Sequence, residues 1–182
     1  MTNPFLQSIA SNFQTALRLM EAALADCPDD LWETDLWPDE APTIQIPQGG
    51  LHGSAPWFLG YHALTTLDYD LTAEFEPWQP PHPFDDNTWS FPNRMFMKSE
   101  LLGYLAYCRD RVRRTLDDLT ETAAARAIPV LHRYHGMLYG VILGGIPLHV
   151  LEHASHIRQF LTVAGVEVRP MPGDRGYLSE GN

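Results

Sequence analysis

The stretch L-H-V-L-E-H-A-S-H-I, residues 148–157, carries three histidines and a glutamate within eight positions. It belongs to an apolar segment that predicts a long helix from about Gly136 to Val163. On a helix, residues four apart share one face, with β-carbons about 6 Å apart. His149 and His153 therefore point the same way, and their ring nitrogens can converge on one metal ion. Two histidines seldom hold a metal firmly, so a third ligand is expected from another part of the fold.

Three further segments have the three- and four-residue spacing of apolar side chains that indicates an amphipathic helix. The first runs from about Pro4 to Asp26, and the second follows a predicted N-cap at Ser54 and ends near Ala73. Ser99 is expected to open the third. Together with the histidine-rich segment, they predict an all-α protein, a four-helix bundle in a single domain spanning residues 1–182.

The third helix is predicted to bury one apolar stripe and to direct its arginines toward solvent. The stripe consists of Leu102, Leu105, Val112, Leu116 and Leu119, and the arginines are Arg109, Arg111, Arg113 and Arg114.

The segments between the helices have the composition of loops. Residues 37–53 hold three prolines and three glycines and predict loop or short extended pieces. The proline-rich run F-E-P-W-Q-P-P-H-P-F lies within a predicted long loop from Glu74 to about Met97, between helices two and three. A short helix is predicted within residues 120–127, a connection over 128–135, and an irregular tail from about 166.

Composition narrows the classes of function. The chain has 12 Lys and Arg against 23 Asp and Glu, a formal net charge of -11, which argues against nucleic-acid binding. The two cysteines, Cys27 and Cys108, do not make a disulfide framework. Neither a signal peptide nor a membrane span is evident in the sequence. We therefore expect a cytoplasmic protein with no membrane partner.

His62 is the best candidate for the third ligand because it lies on the apolar face of the second predicted helix. A single histidine on such a face is more often a core residue than a ligand, so both interpretations stay open for His62 alone. The remaining histidines are expected in loops or at the surface; they are His52, His82, His132 and His135.

A zinc peptidase is an alternative, because residues 149–153 read H-x-x-E-H. In that class two histidines bind zinc, the glutamate between them is the general base, and a further glutamate comes from a later helix. Here Glu152 would be the base, but only Glu167 and Glu180 follow it, both after the last predicted helix. We consider this alternative the weakest, and keep Glu152 and His156 as candidates for a catalytic role.

Three blocks of the sequence resemble DinB-like proteins, in order and with matching spacing. They are A-P-W-F-L-G-Y-H-A-L-T-T-L-D-Y-D-L-T followed by P-P-H-P-F, then Y-L-A-Y-C-R-D-R-V-R-R-T-L-D-D-L-T, and L-H-V-L-E-H-A-S-H-I. The resemblance implies an up-down-down-up bundle that binds a divalent metal through three histidines, carried over as His62, His149 and His153. Many relatives have a glutamine shortly after the last of these; here that region reads H-I-R-Q, which leaves the role of His156 open.

Three histidine ligands leave a coordination position open for water or a thiol, as in catalytic metal sites. The resemblance implies enzymes that use low-molecular-weight thiols on small-molecule substrates. We therefore expect a metal-dependent transferase or hydrolase, with zinc or nickel favoured and iron or manganese as alternatives. A non-catalytic metal-binding scaffold related to stress is the second hypothesis. A homodimer is plausible for such a bundle.

Overall fold

The computed structural model of the chain describes residues 4–46, 50–85 and 91–168. It is mostly helical, with one small two-stranded sheet. The helices are α1 (Pro4–Asp26), α2 (Pro56–Thr72), α3 (Lys98–Asp117), α4 (Glu121–Ala124) and α5 (Tyr139–Val163), with a 3₁₀ turn at Asp29–Leu31. Strands β1 (Ile44–Gln45) and β2 (Leu51–His52) pair antiparallel, with Ile44 opposite His52.

The α1 boundaries agree with the sequence prediction, but the N-cap of α2 does not. The cap residue is Ala55, without a side-chain cap, and Pro56 opens the helix where its missing N–H costs nothing. The hydroxyl of Ser54 is used elsewhere, because it donates to the Ala41 carbonyl at 2.8 Å and accepts from the Trp37 amide at 3.1 Å. Ser54 therefore fixes the preceding loop rather than the helix.

Helix α3 begins one residue earlier than predicted and buries a wider face. Of the predicted stripe, Leu105 and Val112 are buried, and Leu102, Leu116 and Leu119 are partly buried against the core. Leu101, Tyr104 and Cys108 are buried as well.

The prediction that Arg111 faces solvent is wrong. Its side chain is only 14% exposed and its Nε lies 3.5 Å from Oδ1 of the buried Asp68. The charge of a buried aspartate on α2 therefore turns this arginine inward, which the apolar periodicity of α3 could not reveal.

Four long helices enclose the core. α1 packs against α3 and α5, and α2 packs against the same two helices. Large side chains that are less than 2% exposed come from all four of these helices, among them Phe13, Leu17, Met20, Leu24, Tyr61, Leu64, Leu67, Leu101, Leu105, Leu143, Ile157 and Leu161. Gly60 lets α1 and α2 approach closely, since a β-carbon there would lie 2.7 Å from Leu24 Cδ2.

The α2–α3 loop is anchored on the core in its described part. Phe84 is buried and its ring stacks on Tyr104 with centroids 4.1 Å apart. The indole of Trp78 donates to Asp68 at 2.8 Å. The described part of the long predicted loop is thus irregular but packed.

Helix α5 begins at Tyr139, three residues later than predicted. Gly136 has a φ of +79°, which no helix accommodates, and its amide donates to the Ile128 carbonyl at 3.0 Å. α4 lies within the predicted 120–127 segment. Residues 166–168 have no regular structure, and the rest of the predicted tail lies outside the described residues. Among the described helices, none combines the length and apolar character that a membrane crossing requires.

Candidate metal centre

The structure brings together the three histidines that the sequence singled out. One ring nitrogen from each of His62, His149 and His153 lies within 4.8 Å of the other two, a grouping that can hold a metal ion. His62 lies 5.1 Å from each of the other rings, centroid to centroid, and His149 and His153 are 4.5 Å apart. Helix α5 thus supplies two of the ligand positions, and helix α2 supplies the third.

Local packing explains this convergence. On α5, Val150, Ala154 and Ile157 are fully buried, and they turn that side of the helix toward the core. His149 and His153 lie next to this apolar face, one helical turn apart, and are partly buried. α2 packs against α5, and His62 meets the two rings from α2.

The three imidazoles are held in the neutral form that binds metals. Burial, followed by the neighbouring histidines and Arg133, lowers the pKa of His62 to about 4. Burial and the adjacent histidines lower the pKa of His153 to about 3. The pKa of His149 is also lowered, first by burial and then by Arg133, although Glu152 opposes the shift.

Two of these rings have a nitrogen that the protein leaves unsatisfied. Nε2 of His149 and Nδ1 of His153 are buried and have no hydrogen-bond partner among the described residues. Buried polar atoms are rarely left unpaired, and an unpaired lone pair on a neutral imidazole is a ligand atom. The donor set therefore fits a divalent transition metal.

A cavity of about 350 Å³ opens beside the three histidines. His62 and His153 line it together with Arg133, the aromatic residues Trp37, Phe58 and Phe91, and Ala41, His52, Gly53, Ser54 and Leu59. The ring of Phe58 is parallel to that of His62, with centroids 6.2 Å apart. A small molecule in this cavity would contact both the histidine group and an apolar surface.

His156 and Glu152 lie outside this group. The His156 ring is 5.9 Å from His153 and meets the edge of Trp37 at 5.1 Å. Its Nδ1 is buried without a partner among the described residues. Glu152 is exposed and is not among the residues that line the cavity. The peptidase alternative needs Glu152 at the reaction site, so this position gives it no support.

Sequence reasoning missed a charged cluster next to the histidines. An Nη2 hydrogen of Arg133 is donated to Oδ2 of Asp70, a buried residue of α2. His132 Nε2 lies 3.4 Å from the other oxygen of Asp70, and His132 Nδ1 accepts from the Tyr134 amide at 3.2 Å. No local pattern in the sequence indicates this cluster, because 63 residues separate Arg133 from Asp70.

The other histidines divide as follows. His132 lies in a loop, within the predicted connection, but it is buried, at 2% exposure. Its Nε2 lies 3.4 Å from Oδ1 of Asp70, so the buried ring has a carboxylate beside it. His52, His82 and His135 are exposed, and His52 also lines the cavity.

Comparison with known proteins adds information on the fold alone. No family model matches the chain, and no curated protein matches it. Its structure is similar to the crystal structure of a conserved protein from Enterococcus faecalis, with a TM-score of 0.61 and 17% sequence identity. The similarity covers 87% of this chain and 96% of the other. The helical arrangement is thus one that a natural protein adopts at low sequence identity.

We predict that acid destabilises the metal-free protein as the pH falls from 6.5 toward 4. The pKa of His62 is about 4 and that of His153 about 3 in the folded chain, against 6.5 for free histidine. Between those values the unfolded chain binds protons that the folded chain does not, so the free energy of unfolding decreases as the pH falls. In EDTA, it should be about 1–3 kcal/mol lower at pH 5.5 than at pH 7.5.

Urea unfolding at the two pH values measures this difference. A His62→Gln, His153→Gln double variant should show a smaller decrease, since it lacks two of the titrating groups. An undiminished decrease in that variant would contradict the prediction.

Proposed function

We propose that this chain is a DinB-like, metal-dependent enzyme that acts on a small molecule, of transferase or hydrolase type. The observation that carries the proposal is the grouping of three neutral histidine nitrogens within 4.8 Å at a cavity of about 350 Å³. A structural metal site is normally closed by four protein ligands, whereas catalytic sites keep a position open. Among the described residues, no fourth His, Cys, Asp or Glu joins the group.

The proposal includes an up-down-down-up four-helix bundle formed by α1, α2, α3 and α5. Pairs of contacts along three of the helix interfaces support it. The contacts follow an antiparallel order between α1 and α3, a parallel order between α2 and α3, and an antiparallel order between α2 and α5. Between α1, with the 3₁₀ turn that follows it, and α3, Asp29 contacts Lys98 and Glu21 contacts Arg109. Between α2 and α3, Leu64 contacts Cys108 and Asp68 contacts Arg111. Between α2 and α5, His62 contacts His149 and Leu71 contacts Tyr139.

Each part of the site has a chemical role in the proposal. His62, His149 and His153 hold the cation; a divalent metal supplies a Lewis acid with a position open to water or a thiol. Zinc or nickel suits three imidazoles, with iron or manganese as alternatives. Phe58, Phe91 and the other aromatic residues of the cavity bind the apolar part of a substrate and exclude water. The thiol preference rests on the resemblance to DinB-like proteins.

Cobalt substitution tests the proposal and separates it from a non-catalytic scaffold. The metal-free protein should bind one equivalent of Co²⁺, and 2-mercaptoethanol should change the cobalt absorption spectrum by entering the open position. A cobalt spectrum that does not change when thiols are added, together with an absence of water exchange at the metal, would favour the non-catalytic scaffold. Failure to bind Co²⁺ would refute both.

A further inference from the structure

Arg133 is the charged side chain that faces the proposed substrate cavity. It lines the cavity that His62 and His153 also line. Its side chain is 33% exposed and its guanidinium lies 4.7 Å from the centre of the Tyr134 ring. Arg133 belongs to the connection between α4 and α5, yet it is not a loosely held loop residue.

A buried carboxylate fixes the position of Arg133. The Asp70 side chain is 2% exposed and accepts a hydrogen bond from Nη2 of Arg133. Asp70 follows His62 by two helical turns on α2, so one helix positions both the metal ligand and the partner of the arginine. The same carboxylate lies 3.4 Å from His132, which ties down the residue preceding Arg133. This geometry holds a guanidinium at the cavity and limits the conformational entropy lost on binding.

With a divalent metal bound, the cavity carries positive charge that favours an anionic ligand. Its described lining includes no Asp or Glu and one arginine, Arg133, which is already paired with Asp70, so the uncompensated charge at the cavity is that of the bound metal. Three neutral histidines do not offset the two positive charges of a divalent cation. The protein as a whole has a formal net charge of -11, so the cationic character is local to the cavity. An anionic ligand group would compensate it where a neutral one would not.

We propose that Arg133 binds a carboxylate group of the substrate while another part of that molecule reaches the metal held by the three histidines. A guanidinium presents donors in a planar fork that matches a carboxylate. The cavity, at about 350 Å³, has the size of a small-molecule site. The substrate class is therefore a small organic acid, or a small thiol that carries a carboxylate. This inference rests on the proposed metal site and specifies its ligand.

The test compares two thiols that differ in charge at one end. The Co²⁺-loaded protein is titrated with 3-mercaptopropionate and with 3-mercapto-1-propanol, and each Kd is taken from the change in the cobalt spectrum. We expect the carboxylate thiol to bind about 10-fold more tightly, the effect of one charge-assisted hydrogen-bonded contact. In Arg133→Gln this ratio should fall to about one, as the fork is lost. The Kd for Co²⁺ itself should change little.

Two further variants serve as controls for the effect of Arg133→Gln on the ratio of the two Kd values. Arg113→Gln removes the same charge from an exposed arginine of α3 and should keep the wild-type ratio. Arg133→Lys preserves the charge beside Asp70 but not the fork, and should give an intermediate ratio. If Arg133→Gln does not fold, the lysine variant decides, and an unchanged ratio there overturns the inference.

The outcomes distinguish the two proposals. Co²⁺ binding with equal affinity for both thiols, or a ratio that survives in Arg133→Gln, overturns the role of Arg133 and leaves the metal site intact. If the wild-type protein does not bind Co²⁺, the metal site fails and the inference falls with it.

Discussion

His153→Ala should abolish tight metal binding. Its ring lies 4.5 Å from His149 and 5.1 Å from His62, centroid to centroid, so the alanine variant keeps two ligand positions of three. Loss of a residue that merely orients a ligand costs about 10–100-fold in metal affinity. Loss of the ligand itself should therefore raise the Kd for Co²⁺ by about 100-fold or more. Competition with a chromophoric chelator measures this change.

Thermal unfolding gives a second measurement of the same prediction. A metal at 100 times its Kd stabilises the folded state by about 2.7 kcal/mol, which should raise the Tm by about 5–10 °C for a chain of this length. His153→Ala should show almost no increase at the same Co²⁺ concentration. The comparison is internal to each variant, so any effect of the substitution on the metal-free protein cancels.

His156→Ala is the matched control. His156 lies on the same helix and also has a buried Nδ1 without a partner among the described residues, but its ring is 5.9 Å from His153 and it is not part of the three-histidine group. Its removal should change the Kd for Co²⁺ by less than about 3-fold, as expected for a residue that is not a ligand. A loss of affinity comparable to that in His153→Ala would show that the ligand set has been assigned wrongly.

The histidine grouping was predictable because its signal is local. His149 and His153 are one turn apart on a single helix, and helical geometry alone brings their rings together. His62 required a further step, since it lies on another helix and its apolar neighbours indicated only that it faces the core. The structure shows all three together, and the helices themselves were found from apolar periodicity to within three residues at each start.

Arg133, His132 and Arg111 could not be predicted in the same way. Each depends on a buried aspartate of α2, either Asp70 or Asp68, that lies far from it in sequence. Periodicity assigns an arginine to the solvent side because an unpaired buried charge is costly, and it contains no information on a partner that removes that cost. Ser54 was misread for a related reason, since its hydroxyl binds loop residues rather than the helix that follows.

Asp70→Ala should destabilise the protein by about 3 kcal/mol, because it removes the acceptor of a buried charge network. Asp70 is 1% exposed and its carboxylate contacts both Arg133 and His132. Burial raises the pKa of this carboxyl, and Arg133 and His132 lower it in part. Without the carboxylate, Arg133 loses its hydrogen-bond acceptor and the buried His132 ring loses the charged group 3.4 Å from it. Because Arg133 is partly exposed, we expect a loss of unfolding free energy at the low end of the range measured when a buried ion pair is broken.

The measurement is the free energy of unfolding from urea titrations, with a Tm expected to fall by about 6–12 °C. Asp110→Ala is the matched control, since it removes an equal charge from an exposed carboxylate that pairs with Arg113 and Arg114 on α3. Such surface pairs contribute less than about 1 kcal/mol. Similar losses in the two variants would contradict a special role for the buried network. Because Asp70 also positions Arg133, the folded fraction of Asp70→Ala should bind Co²⁺ yet lose part of the preference for 3-mercaptopropionate, which a purely structural role of Asp70 does not predict.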